Sequence, residues 1–222
     1  MFKKLLCILI LSFLSLNAFA ARWSGTGFFI APHGYIATAG HVVKGAKLLL
    51  VRIDKTLYVA HVIATDLKHD SAIIKIDFEN IEFYKLNTEP RIGESVFLPG
   101  FPQPSRFGLG LKTTSGRVKS FSKDVIQSDV WACPGNSGSP LLNESNQAIG
   151  ILVSGMPTTA EPCSKVEQSE FIYHTVLMAQ KHNIPIQIDN ERRKPLNLEQ
   201  IFSVAKYYEV VILVIGDNKP GF

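Results

Sequence analysis

Pro134-Gly135-Asn136-Ser137-Gly138-Ser139-Pro140-Leu141-Leu142 is the stretch on which the reading of this chain turns. A serine with glycines on either side lies on a tight turn, where backbone N–H groups come close to whatever binds above it. Taken alone, the stretch is equally good as a plain hairpin turn, because Asn and Gly are favoured there.

Two motifs upstream change its meaning. Thr38-Ala39-Gly40-His41 ends an apolar strand and runs on into Val42-Val43; Asp70-Ser71-Ala72 opens the run Ile73-Ile74-Lys75-Ile76. A histidine after a strand is more often structural, and an acid at the head of a strand is usually a turn or cap residue. In the order His, Asp, Ser, however, the three supply what acyl transfer needs. Serine is a poor nucleophile until a base takes its proton. Imidazole suits that duty because it titrates near working pH. A carboxylate behind the ring fixes its tautomer and stabilises the imidazolium. Backbone N–H groups at Gly135 and Ser137, with Asn136 between them, offer donors for a developing oxyanion.

Outward from these motifs the body of the chain reads as short strands separated by Gly, Pro, Asn and Asp. They fall at Gly27–Ile30, Tyr35–Thr38, Lys47–Ile53, Tyr58–Ala64, Ala72–Ile76, Glu94–Leu98, Leu109–Ser120, Val125–Gln127, Leu141–Leu142, Ala148–Ser154 and Glu170–Thr175. Such spacing predicts an all-β sandwich or barrel. Helical periodicity comes late, at Thr175–Lys181 and Leu196–Tyr207, and Asp189–Pro195 reads as a solvated linker.

Of 222 residues, 46% are hydrophobic and 19% charged, enough apolar matter for a real core. Met1–Ala20 has a basic start, an apolar stretch from Leu5 to Leu16 and a small-x-small end at Ala18-Phe19-Ala20. That is a secretory signal with cleavage expected before Ala21, and the apolar run is too short for a spanning helix. Without Lys3 and Lys4 the remainder has 21 basic and 19 acidic groups, a net of +2. This gives no support to a nucleic-acid or anionic-membrane partner. The expected product is exported, periplasmic or secreted, and carries two cysteines, Cys133 and Cys163. An even count in an oxidising compartment favours a disulfide, with two unrelated buried thiols as the other reading.

The chain resembles the trypsin-like (chymotrypsin-fold) serine proteases, most of all the protease domain of the HtrA/Deg family. The similarity rests on Gly25-Thr26-Gly27-Phe28, Thr38 to Val43, Asp70 to Ile76 and Pro134 to Leu142. It is extended by Gly108-Leu109-Gly110, Thr114 to Val118 and Gln127-Ser128-Asp129, and covers about Ser24–Ile184. Ser139 stands where that family usually has a second glycine; the Gly-Asn-Ser-Gly-Ser-Pro form is also familiar from glutamyl endopeptidases. The resemblance implies two six-stranded antiparallel β-barrels with C-terminal helices and a short final strand. Residues 21–91 would carry His41 and Asp70, residues 92–187 would carry Ser137, and 188–222 would be a linker, helix and strand tail. It implies Ser137 as nucleophile, His41 as general base, Asp70 as orienting acid, and an oxyanion hole at Gly135, Asn136 and Ser137.

The same resemblance implies a Cys133–Cys163 bridge between two walls of the specificity pocket, lined by Trp131, Ala132, Pro134, Ser154, Gly155, Met156 and Phe171. A phenyl ring at Phe171 opposite Met156 suits small apolar substrate side chains. Asp66 and His69 read as surface residues. No cofactor is implied, and a metal set of Cys133, Cys163 and His174 has neither HExxH nor CxxC spacing. The expected partners are protein or peptide substrates. The residues after Ile186 are too few for the PDZ module usual in the family. With little chain before Ser24, the first barrel lacks a strand, which Glu209–Ile215 could supply by folding back onto its open edge. Short N-terminal arms point to a monomer. The other functional class is a catalytically silent trypsin-like module that binds peptides or a partner protein.

Overall fold

A computed structural model describes residues 21–154, 164–165 and 168–216. Residues 1–20, read above as a leader, lie outside the described residues together with Gly155, Met156 and Cys163.

The N-terminal half builds β1 (Ala21–Ala31), β2 (Tyr35–Ala39), the single turn α1 (Gly40–Val43), β3 (Ala46–Ile53), β4 (Thr56–Asp66) and β5 (Ser71–Ile76). The second half builds β6 (Ser95–Gly100), α2 (Pro104–Phe107), β7 (Lys112–Phe121), β8 (Val125–Ser128), β9 (Trp131–Ala132), β10 (Pro140–Asn143), β11 (Ala148–Ser154), β12 (Ser164–Lys165) and β13 (Gln168–Phe171). It continues through α3 (Ile172–Lys181) and α4 (Leu198–Tyr208) to β14 (Glu209–Gly216). The strands close into two six-stranded antiparallel barrels, β1-β14-β3-β4-β5-β2 and β10-β11-β13-β8-β7-β6. This is the all-β, two-barrel class that the sequence predicts.

Burial explains the strand sequences. In β1, Phe29 faces the interior of the first barrel, whereas Phe28 and Ile30 face a larger cluster that runs into the second barrel. The same split divides Ile36 from Ala37 in β2 and Ile74 from Ile73 in β5. Strands covered on both faces lose the apolar–polar alternation of half-exposed ones. Hence Phe28-Phe29-Ile30 and Ala72-Ile73-Ile74 run continuously apolar. Each fully buried Phe or Ile contributes about 1.5–3 kcal/mol by leaving water. On β4 one face is open, and Leu57, Val59 and Val62 are exposed.

The final strand closes the first barrel. β14 pairs antiparallel with β1 from Ala21↔Gly216 to Phe28↔Glu209 and with β3 from Ala46↔Gly216 to Arg52↔Val211. Val210, Ile212 and Val214 point into the barrel core. The last segment of the chain thus fills the slot between β1 and β3, as the open-edge reading anticipates.

One expectation needs correction. The apolar run expected as a strand over Glu170–Thr175 divides at Phe171: β13 ends there and α3 begins at Ile172. Ile172, Thr175, Val176 and Ala179 then give a buried helical face against β4, β5 and β11. The linker at Asp189–Pro195 has no regular structure, with Glu191, Arg193, Lys194 and Pro195 exposed, and it is also tied to the connection between β5 and β6. Asp189 takes Lys85 Nζ at 3.3 Å, Arg192 reaches Glu94 at 2.7 Å, and Asn87 donates to the Asp189 carbonyl at 3.1 Å.

Candidate active site

β2 delivers His41 on the turn that follows it, and the β4–β5 turn delivers Asp70 at the head of β5. Pairing of β2 with β5, through Ala39↔Ser71, brings the two together. His41 Nδ1 lies 2.7 Å from Asp70 Oδ2, and the His41 backbone N–H donates to Asp70 Oδ1 at 2.6 Å. The Gly40 N–H donates to the Asp70 carbonyl at 2.7 Å. Glycine at position 40 eases this approach, since a Cβ there would stand 3.1 Å from both Asp70 C and Oδ1, tighter than ordinary contact. Asp70 itself has φ 45°, in the left-handed region. Such backbone is sparsely populated and tends to gather at functional sites.

Ser137 lies on the loop that leads into β10 of the second barrel. Its carbonyl accepts the Thr26 N–H at 2.8 Å, which docks the loop on β1. A Cβ at Gly25 would meet Val42 Cγ2 at 2.7 Å and the Ser137 carbonyl at 3.1 Å, so the residue after His41 and the serine backbone face each other across that glycine. Gly138, at φ 88°, leaves no room for a side chain against Thr26 O and Thr38 Oγ1. The loop is therefore wedged onto the strands that carry the histidine.

Hydrogen bonds also orient the peptides around the serine. Pro134 O accepts the Gln103 N–H at 2.7 Å, and Gly135 O accepts the Thr26 hydroxyl at 2.8 Å. The Asn136, Gly138 and Ser139 N–H groups donate to Cys133 O, Leu152 O and Asn136 O. Those of Gly135 and Ser137 donate to no backbone acceptor among the described residues. With its carbonyl turned toward Gln103, the trans Pro134–Gly135 peptide aims its N–H the opposite way. Thr26 is the residue the sequence reading missed. Its hydroxyl is fully buried and accepts the Phe101 N–H at 3.1 Å while donating to Gly135 O. Nothing in Gly25-Thr26-Gly27 distinguishes it from an ordinary strand threonine.

The pocket residues are placed less fully. Trp131 is half exposed at the rim, and Ala132 and Pro134 follow it toward the serine loop. Phe171, 9% exposed, belongs to the second-barrel hydrophobic cluster. Of Ser154 only the backbone, at the end of β11, is described.

Asp66 and His69, read from sequence as surface residues, are half-buried, with His69 Nδ1 2.6 Å from Asp66 Oδ2. They meet His174, Asp124 and Glu170 from the second barrel. Burial, then the nearby Asp124, Asp66 and Asp70 carboxylates, pushes Glu170 up to about 8. The hydrogen bond from His174 holds Asp124 below the usual carboxylate range.

Two closed six-stranded barrels are the architecture of a trypsin-like peptidase, and the family model for the trypsin-like peptidase domain matches residues 25–151. The chain belongs to that family. A probable periplasmic serine endoprotease, DegP-like, from Pseudomonas savastanoi pv. phaseolicola is 38% identical over 138 residues, covering 57% of this chain and 28% of the relative. A protein of the same description from Chlamydia pneumoniae is 36% identical over 146 residues, covering 59% and 29%. The chain thus matches less than a third of these relatives' length. Among solved structures, the HtrA-type protease AlgW with decapeptide superposes with a TM-score of 0.60 at 25% identity, covering 72% of this chain and 50% of that one. Among the described residues no helix is long and apolar enough to cross a membrane.

Proposed function

We propose that this protein is an exported serine endopeptidase that cleaves peptide bonds through Ser137, His41 and Asp70. The observation that carries the reading is the doubly held His41–Asp70 pair, beside which the Ser137 loop is docked by Thr26. In this mechanism the Ser137 hydroxyl oxygen attacks the scissile carbonyl carbon while His41 Nε2 accepts the proton. The negative charge that develops on the carbonyl oxygen is met by the Gly135 and Ser137 N–H groups, one such donor being worth about 3–4 kcal/mol. Collapse expels the amine, which takes the proton from His41 and leaves an acyl ester on Ser137. Water then repeats the sequence and frees the acid. Asp70 stays ionised throughout and holds the imidazole in the required tautomer.

The finer parts of the proposal follow from the same site. Cleavage after small apolar side chains is supported by the absence of a charged group at Trp131, Ala132, Pro134 and Phe171. A peptide library preferring Arg, Lys or Glu would reject it. We assign a disulfide between Cys133 and Cys163, supported by the even cysteine count expected of an exported chain. Mass spectrometry of unreduced peptides would show two free thiols if that assignment fails. A periplasmic destination is supported by the leader-like Met1–Ala20 and by the periplasmic description of the relatives.

Labelling by a fluorophosphonate probe tests the central claim. The exported wild type should label and Ser137→Ala should not. Absence of labelling in correctly folded wild type would sink the protease reading.

A further inference from the structure

Asp70 is held from behind as well as in front. A residue at φ 45° persists only where its surroundings over-determine it. The bonds from Asp70 to His41 and Gly40 are the ones whose geometry has to be set, so the restraint has to come from elsewhere. The residue before Asp70 supplies it. Asp66, at the end of β4, accepts the Lys68 and His69 N–H groups through Oδ1 at 3.1 and 3.2 Å, and its Oδ2 lies 2.6 Å from His69 Nδ1. The His69 carbonyl accepts the Ser71 hydroxyl at 3.0 Å. Backbone and ring edge of His69 are thus fixed within the β4–β5 turn.

The face of that ring is fixed from the second barrel. His174, in the first turn of α3, lies over His69 with ring centroids 3.4 Å apart and planes 10° from parallel. His174 is 8% exposed, and α3 packs on β4, β5 and β11 through Ile172, Val176 and Ala179. The imidazole therefore cannot swing away without moving the helix. Its Nε2 lies 2.9 Å from Asp124 Oδ1 in the turn before β8, and the Tyr173 ring stands edge-on at 5.9 Å. Asp124 itself is 4.0 Å from His69 Nε2, beyond hydrogen-bond reach. The stacked ring face is thus what joins the β4–β5 turn to α3.

We propose that His174 is a positioning residue for the catalytic pair: its ring, stacked on His69, sets the place from which Asp70 grips His41. The consequence for turnover rests on the peptidase reading above. Groups that act together in catalysis must be held within about 0.5 Å of their working geometry, and a displacement of about 1 Å costs roughly a hundredfold in rate. His174 reaches Asp70 only through His69, so it touches neither substrate nor the reacting atoms. It also comes from the barrel into which the Ser137 loop leads, through β10 and β11 to β13. The stack therefore references the turn that carries Asp70 to the barrel that carries the serine.

Two variants separate the ring from its hydrogen bond. His174→Gln keeps an amide able to donate to Asp124 but has no ring, whereas His174→Phe keeps the ring and cannot donate. On a peptide ester, kcat of His174→Gln should fall about ten- to a hundredfold with KM little changed, and His174→Phe should recover most of that loss. A second readout does not depend on turnover. The NMR signal of the His41 Nδ1 proton, which Asp70 accepts, should move in His174→Gln and return toward its wild-type place in His174→Phe. An unchanged kcat and proton signal in His174→Gln, whatever its melting temperature, overturns the proposal, and so does an equal loss in both variants. Should His174→Gln not fold, His69→Gln removes the other ring and carries the same test. A wild type that leaves the ester uncut, with the His41 signal still responding as expected, would remove the peptidase reading and support the positioning of Asp70. Normal turnover with a His41 signal indifferent to position 174 would do the reverse.

Discussion

Asp70 grips His41 at two points, the ring nitrogen Nδ1 at 2.7 Å and the backbone N–H at 2.6 Å. One carboxylate thereby sets both the tautomer of the imidazole and the position of the turn that carries it. Asp70→Asn keeps the size of the side chain but presents an amide where the ring must donate. The expected outcome is a fall in kcat of roughly 10⁴-fold at neutral pH, with far-UV circular dichroism unchanged. Initial rates on a peptide ester check it, and a loss under tenfold would place the orienting group elsewhere.

Thr26 links strand β1 to the serine loop. Thr26→Val removes the hydroxyl that donates to Gly135 O and accepts from Phe101 N, leaving two buried backbone groups unpaired. Each costs about 1–3 kcal/mol, so urea unfolding should show a destabilisation of about 2–6 kcal/mol. The turnover number should fall at least about tenfold with KM little changed, because an oxyanion donor acts in the transition state.

Glu209 carries a buried carboxyl at the head of β14, with Oε1 2.6 Å from the Tyr84 hydroxyl and Oε2 unpaired. Burial drives its pKa well above the ordinary 4.5, against the smaller pull of the Tyr84 hydrogen bond. A carboxyl with a raised folded-state pKa contributes stability that is fully present below its unfolded value and is lost as pH rises through the folded one. Glu209→Gln removes that loss. Denaturation midpoints should therefore gain relative to wild type as pH rises above about 4.5, and not at pH 4. A gain that is the same at every pH would contradict this account.

β14 supplies backbone partners to β1 on one side and β3 on the other. Truncation before Glu209 exposes both edges together with the apolar interior of the first barrel. Open apolar edges invite aggregation, so the truncated chain should leave the soluble fraction on expression. Soluble, folded material from such a truncation would show that the six-stranded closure is dispensable.

The tight turn at the serine loop was legible because it depends on residue types in a short stretch. Gly135 and Gly138 have φ of 101° and 88°, and no other residue fits those backbones beside Phe101 O and Thr26 O without strain. The strands Phe28–Ile30 and Ala72–Ile76 were equally plain from their apolar runs. At Glu170–Thr175 the same signal misled, since a run buried on both faces carries no period and cannot tell strand from helix. Asp66 and His69 looked exposed because their partners, Asp124 and His174, lie far along the chain in the other barrel.

Local sequence thus determined which segments extend and which turns need glycine. Tertiary structure alone decided that the last strand completes the first barrel and that two distant histidines stack. The reason is physical: an apolar pattern states that a face must be buried, while the neighbour that covers it, and the backbone groups that pair with it, are chosen by the whole fold.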